Sequence, residues 1–155
     1  MKIYFRSHAN YIYIVSFFCI LDQFSKIYIT LNINKLLHKD LLIFTIDFAR
    51  NYGAAFNLFS GSRLFLSFVS VISTIILSYL IFLTEIKFIN KYALSFILAG
   101  SIGNGIDRIF NGYVIDFIKI KFIDFPVFNI ADIVINIGVL ILMISYFRYK
   151  KTFDE

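Results

Sequence analysis

Of 155 residues, 59% are hydrophobic and 16% charged, against about 45–50% and about 25% in soluble domains, which excludes a soluble globular protein, a disordered tail and a collagen. The formal charge of +5 calls for no nucleic-acid partner, because basic residues beside membrane spans bind anionic lipid and set orientation. One Cys forbids an internal disulfide, and beside two His it leaves no ligand set for structural zinc, so chemistry falls to carboxylates, hydroxyls or amines.

A spanning helix takes about 20 mostly apolar residues. Four stretches qualify: Tyr11 to Thr30, Arg63 to Leu83, Tyr92 to Phe110 and Asn129 to Phe147. The first follows Lys2 and Arg6 as a signal peptide would, but it lacks a small-x-small cleavage site and runs into Asp22 and Lys26; bulky Phe17 and Phe18 before Cys19 argue against a lipoprotein anchor. It reads as a retained helix. Connections 31–62 and 111–128 are long and leave on one side, whereas Thr84 to Lys91 makes a plain turn. In the first, Leu42, Phe44, Ile46 and Phe48 alternate with Ile43, Thr45, Asp47 and Ala49; in the second, Ile118 to Phe122 alternates with lysines. Both patterns predict short strands. The expected fold is an all-α membrane protein, a single domain over 1–155 with four transmembrane helices and a small extracytoplasmic β-cradle.

Lys2, Arg6, Lys87, Lys91, Arg148, Lys150 and Lys151 flank one side, and Lys35, Lys39, Arg50, Arg63, Lys119 and Lys121 the other. The excess favours cytoplasmic termini. Absence of Trp beside 20 Phe and 10 Tyr is read as composition bias, with Tyr taking the interfacial role. Ser67, Ser70, Thr74 and Ser78 form a small stripe for helix packing.

An ionisable side chain in the bilayer core costs at least about 2.5–3.5 kcal/mol, so each needs a partner or a task. Asp22 and Lys26, Asp107 and Arg108, and Asp132 all fall at the outer ends of their spans, and Asn51 and Asp116 in the outer connections. The topology alone gathers them on one face. Gly100, Gly103, Asn104 and Asp107 make one polar, small stripe, as do Asn129, Asp132 and Asn136; for Asn104 or Asn136 alone, interhelical hydrogen bonding explains them as well. Asp22 has Lys26 one turn on and Asp107 has Arg108 beside it, so both acids read as paired and structural. Asp116 and Asp132 have no such cation. On a strand, Lys119 would face away from Asp116. Two such acids in apolar surroundings share a proton, one as base on water and one as acid on a carbonyl, the chemistry of aspartic proteases. Asp124 is the alternative partner, read as a solvated turn acid.

Taken in order, Asp22-Gln23-Phe24-Ser25-Lys26, Asn51-Tyr52-Gly53-Ala54-Ala55-Phe56, Gly100 through Gly103-Asn104 to Asp107-Arg108, Val114-Ile115-Asp116-Phe117 and Phe125 to Asp132 resemble lipoprotein signal peptidase, or signal peptidase II. The resemblance implies a four-helix aspartic endopeptidase of the bacterial cytoplasmic membrane, its active site facing the periplasm, cutting prolipoproteins on the amino side of a diacylglyceryl cysteine. It puts the catalytic pair on Asp116 and Asp132 and supporting or substrate-positioning roles on Asp22, Lys26, Asn51, Gly53, Asn104, Asp107, Arg108 and Asn129. It implies no metal or cofactor, membrane lipid and diacylglyceryl prolipoproteins as partners, sensitivity to globomycin-type inhibitors, and a monomer. Gly53-Ala54-Ala55 is read either as room for substrate backbone or as a tight loop. The chain differs from many members in a shorter stretch between Asp116 and Asp132, which lacks a Trp before Phe125-Pro126, and at Gly105 and Ile106.

Three other readings make different demands. A transporter would place charges at several depths. A presenilin or prepilin type peptidase would carry GxGD, and a scaffold would need no unpaired acids.

Overall fold

The computed structural model describes residues 2–54 and 58–154, with side chains described over 8–54 and 58–150. Ala55 and Phe56, and the side chains of Lys2, Arg6 and Lys151, lie outside those limits. The order is α1 (Lys2–Leu31), α2 (Ile33–Leu36), β1 (Phe44–Asn51), α3 (Arg63–Leu83), α4 (Phe88–Phe110), β2 (Val114–Ile120) and α5 (Ile130–Asp154).

Among the described residues three helical segments, His8–Leu31, Arg63–Leu83 and Ile130–Lys150, are long and apolar enough to cross a membrane. The expected fourth, in α4, is long enough at 23 residues, about 34 Å, but not apolar enough. Its position explains the difference. α4 packs against α1, α3 and α5, so protein rather than lipid surrounds it, and it carries Lys91, Ser95, Gly100, Gly103, Asn104 and Asp107 buried. The other three turn Phe17, Ile20, Phe24, Phe65, Phe68, Leu140 and Ile144 outward, a surface that only lipid or another apolar partner would cover.

The predicted small-residue stripe of α4 does face inward. A Cβ on Gly100 would collide with the Ala131 carbonyl and Ile135, and one on Gly138 would stand 2.5 Å from the Ala93 carbonyl. α4 and α5 therefore touch backbone to backbone at two levels. On α3 only part of the expected stripe is buried in this way: Ser70 packs on Gly105. Lys91, read as a flanking charge, belongs to α4 and is 6% exposed; the turn between α3 and α4 is shorter than expected, residues 84–87.

β1 and β2 pair antiparallel, as the alternating patterns predicted, but with a bulge. Ile46 faces Ile118 and Ala49 faces Asp116, so two residues of β1, Asp47 and Phe48, stand opposite Phe117 alone. In an unbulged ladder counted on from Ile46 and Ile118, Phe48 would oppose Asp116 and Arg50 would oppose Val114, on Asp116's side of the ladder. With the bulge, Asn51 opposes Val114 and shares that face, because one residue of slip inverts every side chain. The guanidinium of Arg50 lies instead over Tyr113, 5.1 Å from the ring centre. Inserting one residue between Phe48 and Ala49 should carry Arg50 opposite Val114, onto Asp116's face. Activity would fall at least about tenfold, while Asn51→Leu in the intact strand would lose only the hydrogen bond; equal activity of the insertion and the parent would contradict this register argument.

Candidate active site

The sheet, the ends of α1 and α4 and the start of α5 meet at one end of the bundle, where the ionisable residues gather as topology predicted. Lys26 is the hub. Its ammonium lies 2.8 Å from Asp22 Oδ2, 2.9 Å from Asp107 Oδ2 and 3.0 Å from Asn104 Oδ1, and all four residues are buried. Three acceptors match its three protons. This corrects the expected pairing of Asp107 with Arg108: consecutive helical residues point about 100° apart. Arg108 reaches away to the Gly53 carbonyl at 3.3 Å. The second oxygen of Asp22 accepts the Ala131 N–H at 2.9 Å, and Asp107 Oδ2 also accepts the Ile115 N–H at 3.2 Å. The Asp22–Lys26–Asp107 group thus fastens α1 to α4, to β2 and to the first turn of α5.

Asn129 precedes α5, and its Oδ1 accepts the Asp132 N–H at 3.0 Å while Asp132 Oδ2 accepts the Asn129 N–H at 3.1 Å. This is a reciprocal capping box with Asn and Asp in place of the more usual Ser or Thr and Glu. The same Asn129 donates through Nδ2 to Asp116 Oδ1 at 2.6 Å. One residue therefore holds both acids. Asn104 donates Nδ2 to Asp132 Oδ1 at 2.8 Å, and Asn51 donates Nδ2 to Asp116 Oδ2 at 3.0 Å. Each amide is locked the right way round by an independent donor to its oxygen: Lys26 for Asn104, the Asp132 N–H for Asn129 and the Gly53 N–H, at 2.9 Å, for Asn51.

Asp116 and Asp132 line one cavity of about 750 Å³ together with Asn51, Ala54, Asn104 and Arg108. Asp124 is exposed and is not part of its wall. Lys119 does turn away from Asp116, with its ammonium 3.9 Å from Asp47. The expectation that no cation stands near the two acids is corrected by Arg108, which lines the same cavity and whose buried Nε has no hydrogen-bond partner among the described residues. Sequence reading also missed Gln23, whose amide nitrogen donates to the Gly103 carbonyl at 3.0 Å and to Asp22 Oδ2 at 3.2 Å. Arg63, counted only as a flanking charge, donates to the last carbonyls of α4, those of Arg108 and Ile109. A basic residue near an α-helical C-terminus was the available signal.

Burial chiefly, and the negative charge of Asp132 secondarily, push the Asp116 carboxyl from its ordinary 3.8 up to about 7, against the lowering by Asn51, Asn129 and Lys26. The folded chain therefore keeps a proton that the unfolded chain releases between those two values. Its contribution to stability is complete below about pH 4 and is lost as pH rises through about 7, a change on the order of a few kcal/mol. Melting followed in detergent from pH 4 to 8 should show a decline that Asp116→Asn flattens. Identical slopes for parent and variant would remove Asp116 as its source.

The chain has clear relatives. A sequence model of the family described as Signal peptidase (SPase) II matches residues 14–148. The lipoprotein signal peptidase of Microcystis aeruginosa is 41% identical over 110 residues, 70% of this chain and 71% of that one. That of Enterococcus faecalis is 36% identical over 138 residues, 87% and 86% of the two chains. A solved structure described as a bacterial membrane enzyme, determined by the in meso method at 2.3 Å resolution, superposes with a TM-score of 0.86 at 32% identity, covering 93% of this chain and 91% of the other.

Proposed function

Because the chain belongs to the signal peptidase II family, membrane peptidases of the aspartic class that process prolipoprotein signal peptides, we propose that Asp116 and Asp132 are its catalytic pair. The observation that carries this reading is the single Asn129, hydrogen-bonded to both carboxyls at the wall of one cavity.

The chemistry follows from the environments. Asp116, which keeps a proton to about pH 7, hydrogen-bonds the scissile carbonyl oxygen and gives it that proton; Asp132 takes a proton from water as the hydroxide adds to the carbonyl carbon. The resulting gem-diol collapses when the leaving nitrogen receives the proton from Asp132 and Asp116 recovers one from the diol. The products are a carboxylic acid and the free α-amine of the lipidated cysteine. Atoms and protons balance without a metal. The unpartnered Nε–H of Arg108 offers a donor to a substrate carbonyl, where charge builds during attack. Asp22, Lys26, Asn104, Asp107 and Asn129 set the geometry. Asn51 and Gly53 position the edge of the cradle, where extended substrate backbone would lie.

The substrate is a diacylglyceryl prolipoprotein, cut on the amino side of the modified cysteine. The whole chain acts as one domain in the bacterial inner membrane, with α4 crossing beside the three apolar helices, the acid pair at the periplasmic surface and the termini in the cytoplasm. Globomycin-type cyclic peptides would occupy the same cavity. Purified protein given matched lipidated and unlipidated precursors tests the proposal. Cleavage of the lipidated form alone, before cysteine, is the expected result; equal cleavage of both, or of neither, would overturn the substrate assignment.

A further inference from the structure

The cavity does not end at the acid pair. It continues along α5 past Ile133, Asn136, Ile137 and Leu140, with Leu66, Val69 and Ser73 of α3 and Ser101 of α4 on its other walls. Leu140 lies two turns from Asp132, about 12 Å along the helix. Most of this deeper wall is apolar. The exceptions are Ser70, whose hydroxyl is taken up by the Leu66 carbonyl, and the three residues Ser73, Ser101 and Asn136.

These three come from three different helices and lie at one depth. Asn104 of α4 bonds Asp132 of α5, and the two helices run in opposite directions, so Ser101 falls level with Ile135 and Asn136. The clash that a Cβ on Gly100 would make with Ile135 fixes the same register. Gly105 abuts Ser70, with a Cβ there 3.1 Å from the serine side chain, so Ser101 and Ile102 fall level with Ser73 and Thr74 of the antiparallel α3. One turn below the acids, three polar side chains therefore ring the cavity.

Their hydrogen bonds show what they lack. Sequence reading left open that Asn136 joins helices, but its Nδ2 donates within α5 to the Asp132 carbonyl at 2.9 Å. Among the described residues nothing donates to its Oδ1. Ser70, Thr74 and Ser95 bond back to carbonyls of their own helices at 3.0, 2.8 and 2.8 Å; the hydroxyls of Ser73 and Ser101 make no such bond. Asn136 is exposed and Ser73 and Ser101 are half-buried, so these open polar groups are presented to whatever fills the cavity.

We propose that Ser73, Ser101 and Asn136 form a water-holding site beneath the acid pair, from which the water used in hydrolysis is drawn. This rests on the peptidase reading above and adds the source of its second substrate. A held water makes about three hydrogen bonds, which two hydroxyls and an amide oxygen supply. Extended peptide is a poorer match, because its polar groups recur every residue along a line, whereas these three converge at one level. The site also answers a chemical need: a cavity filled by an acylated, apolar substrate must keep water within reach of Asp132.

The test uses the full-length enzyme in detergent and in liposomes, with lipidated precursor. Ser73→Ala/Ser101→Ala and, separately, Asn136→Leu should each lower kcat at least tenfold while KM changes less than twofold. In a Cys19→Ser background, Asn136→Cys and Ser101→Cys should react with a charged, water-borne thiosulfonate reagent. Ile144→Cys, on the exposed flank of α5, should not react in liposomes. Unreactive cysteines at 101 and 136, an unchanged kcat, or a raised KM at constant kcat would overturn the site. If the unmodified enzyme does not cut the lipidated precursor at all, the peptidase reading fails instead.

Discussion

Asparagine in place of either Asp116 or Asp132 should abolish cleavage, with kcat falling by at least about 10³-fold, the scale of a lost acid or base in a concerted pair. Asparagine keeps the size of the side chain but can neither take a proton from water nor give one to a carbonyl. At 116 the change also removes a buried acid, so the folded protein should melt no lower than the parent at neutral pH. At 132 it replaces one oxygen of the capping box. If the amide oxygen keeps the bond to the Asn129 N–H and its nitrogen turns toward Asn104 Nδ2, the loss is one hydrogen bond, about 1 kcal/mol. Lost activity with retained fold at both positions is the signature. Turnover near that of the parent in either variant would remove that residue from the chemistry.

Lys26→Met should produce the largest loss of stability. The methionine fills the volume of the lysine stem, but Asp22 and Asp107 are then left as neighbouring buried carboxyls, each at most 2% exposed, with no cation between them. Breaking a buried pair from one side costs about 3–5 kcal/mol, and here one lysine serves two acids. The Asn104 amide also loses the donor that fixes its orientation. A chemical-denaturation or thermal melt in detergent reads the effect. Restoring most of the stability with the triple change Lys26→Met, Asp22→Asn and Asp107→Asn would show that stranded charge, rather than lost packing, is the cause. A single variant as stable as the parent would contradict the role of Lys26 as hub.

Much of this end of the molecule was legible before any coordinates. Long apolar runs marked the long helices, and their alternating direction then gathered Asp22, Asn51, Asp107, Asp116 and Asp132 at one end of the bundle. What the runs could not show is which helix is central. α4 has no stretch apolar enough to qualify as a span, although the other three long helices do; its neighbours are protein, and it carries the polar stripe. In the cradle, period-two alternation found both strands, yet alternation is blind to a bulge, and the bulge decides that Asn51 and not Arg50 attends Asp116.

Side-chain partners were the least legible. Asp107 and Arg108 are adjacent in sequence and were read as a pair, but partners on a helix sit three or four residues apart; the true cation, Lys26, is 81 positions away in the chain. Asn129-x-x-Asp132 could have been read as a capping box at the start of α5. That reading would have tied Asp132 to Asn129, although not Asn129 to Asp116, which only tertiary packing brings together. Asn136 looked the same as Asn104 in sequence, and the structure separates them: Asn104 joins three elements, and Asn136 bonds within its own helix.

The most direct measurement is cleavage of lipidated precursor by Asp116→Asn, Asp132→Asn and the double variant, compared at one pH near neutrality. If the two acids work as one proton-sharing unit, the three rates should coincide within a few-fold, because removing either member already removes the mechanism. A double variant slower than each single one by the product of their separate losses would mean that the aspartates act independently, and the account of a shared catalytic pair would be wrong.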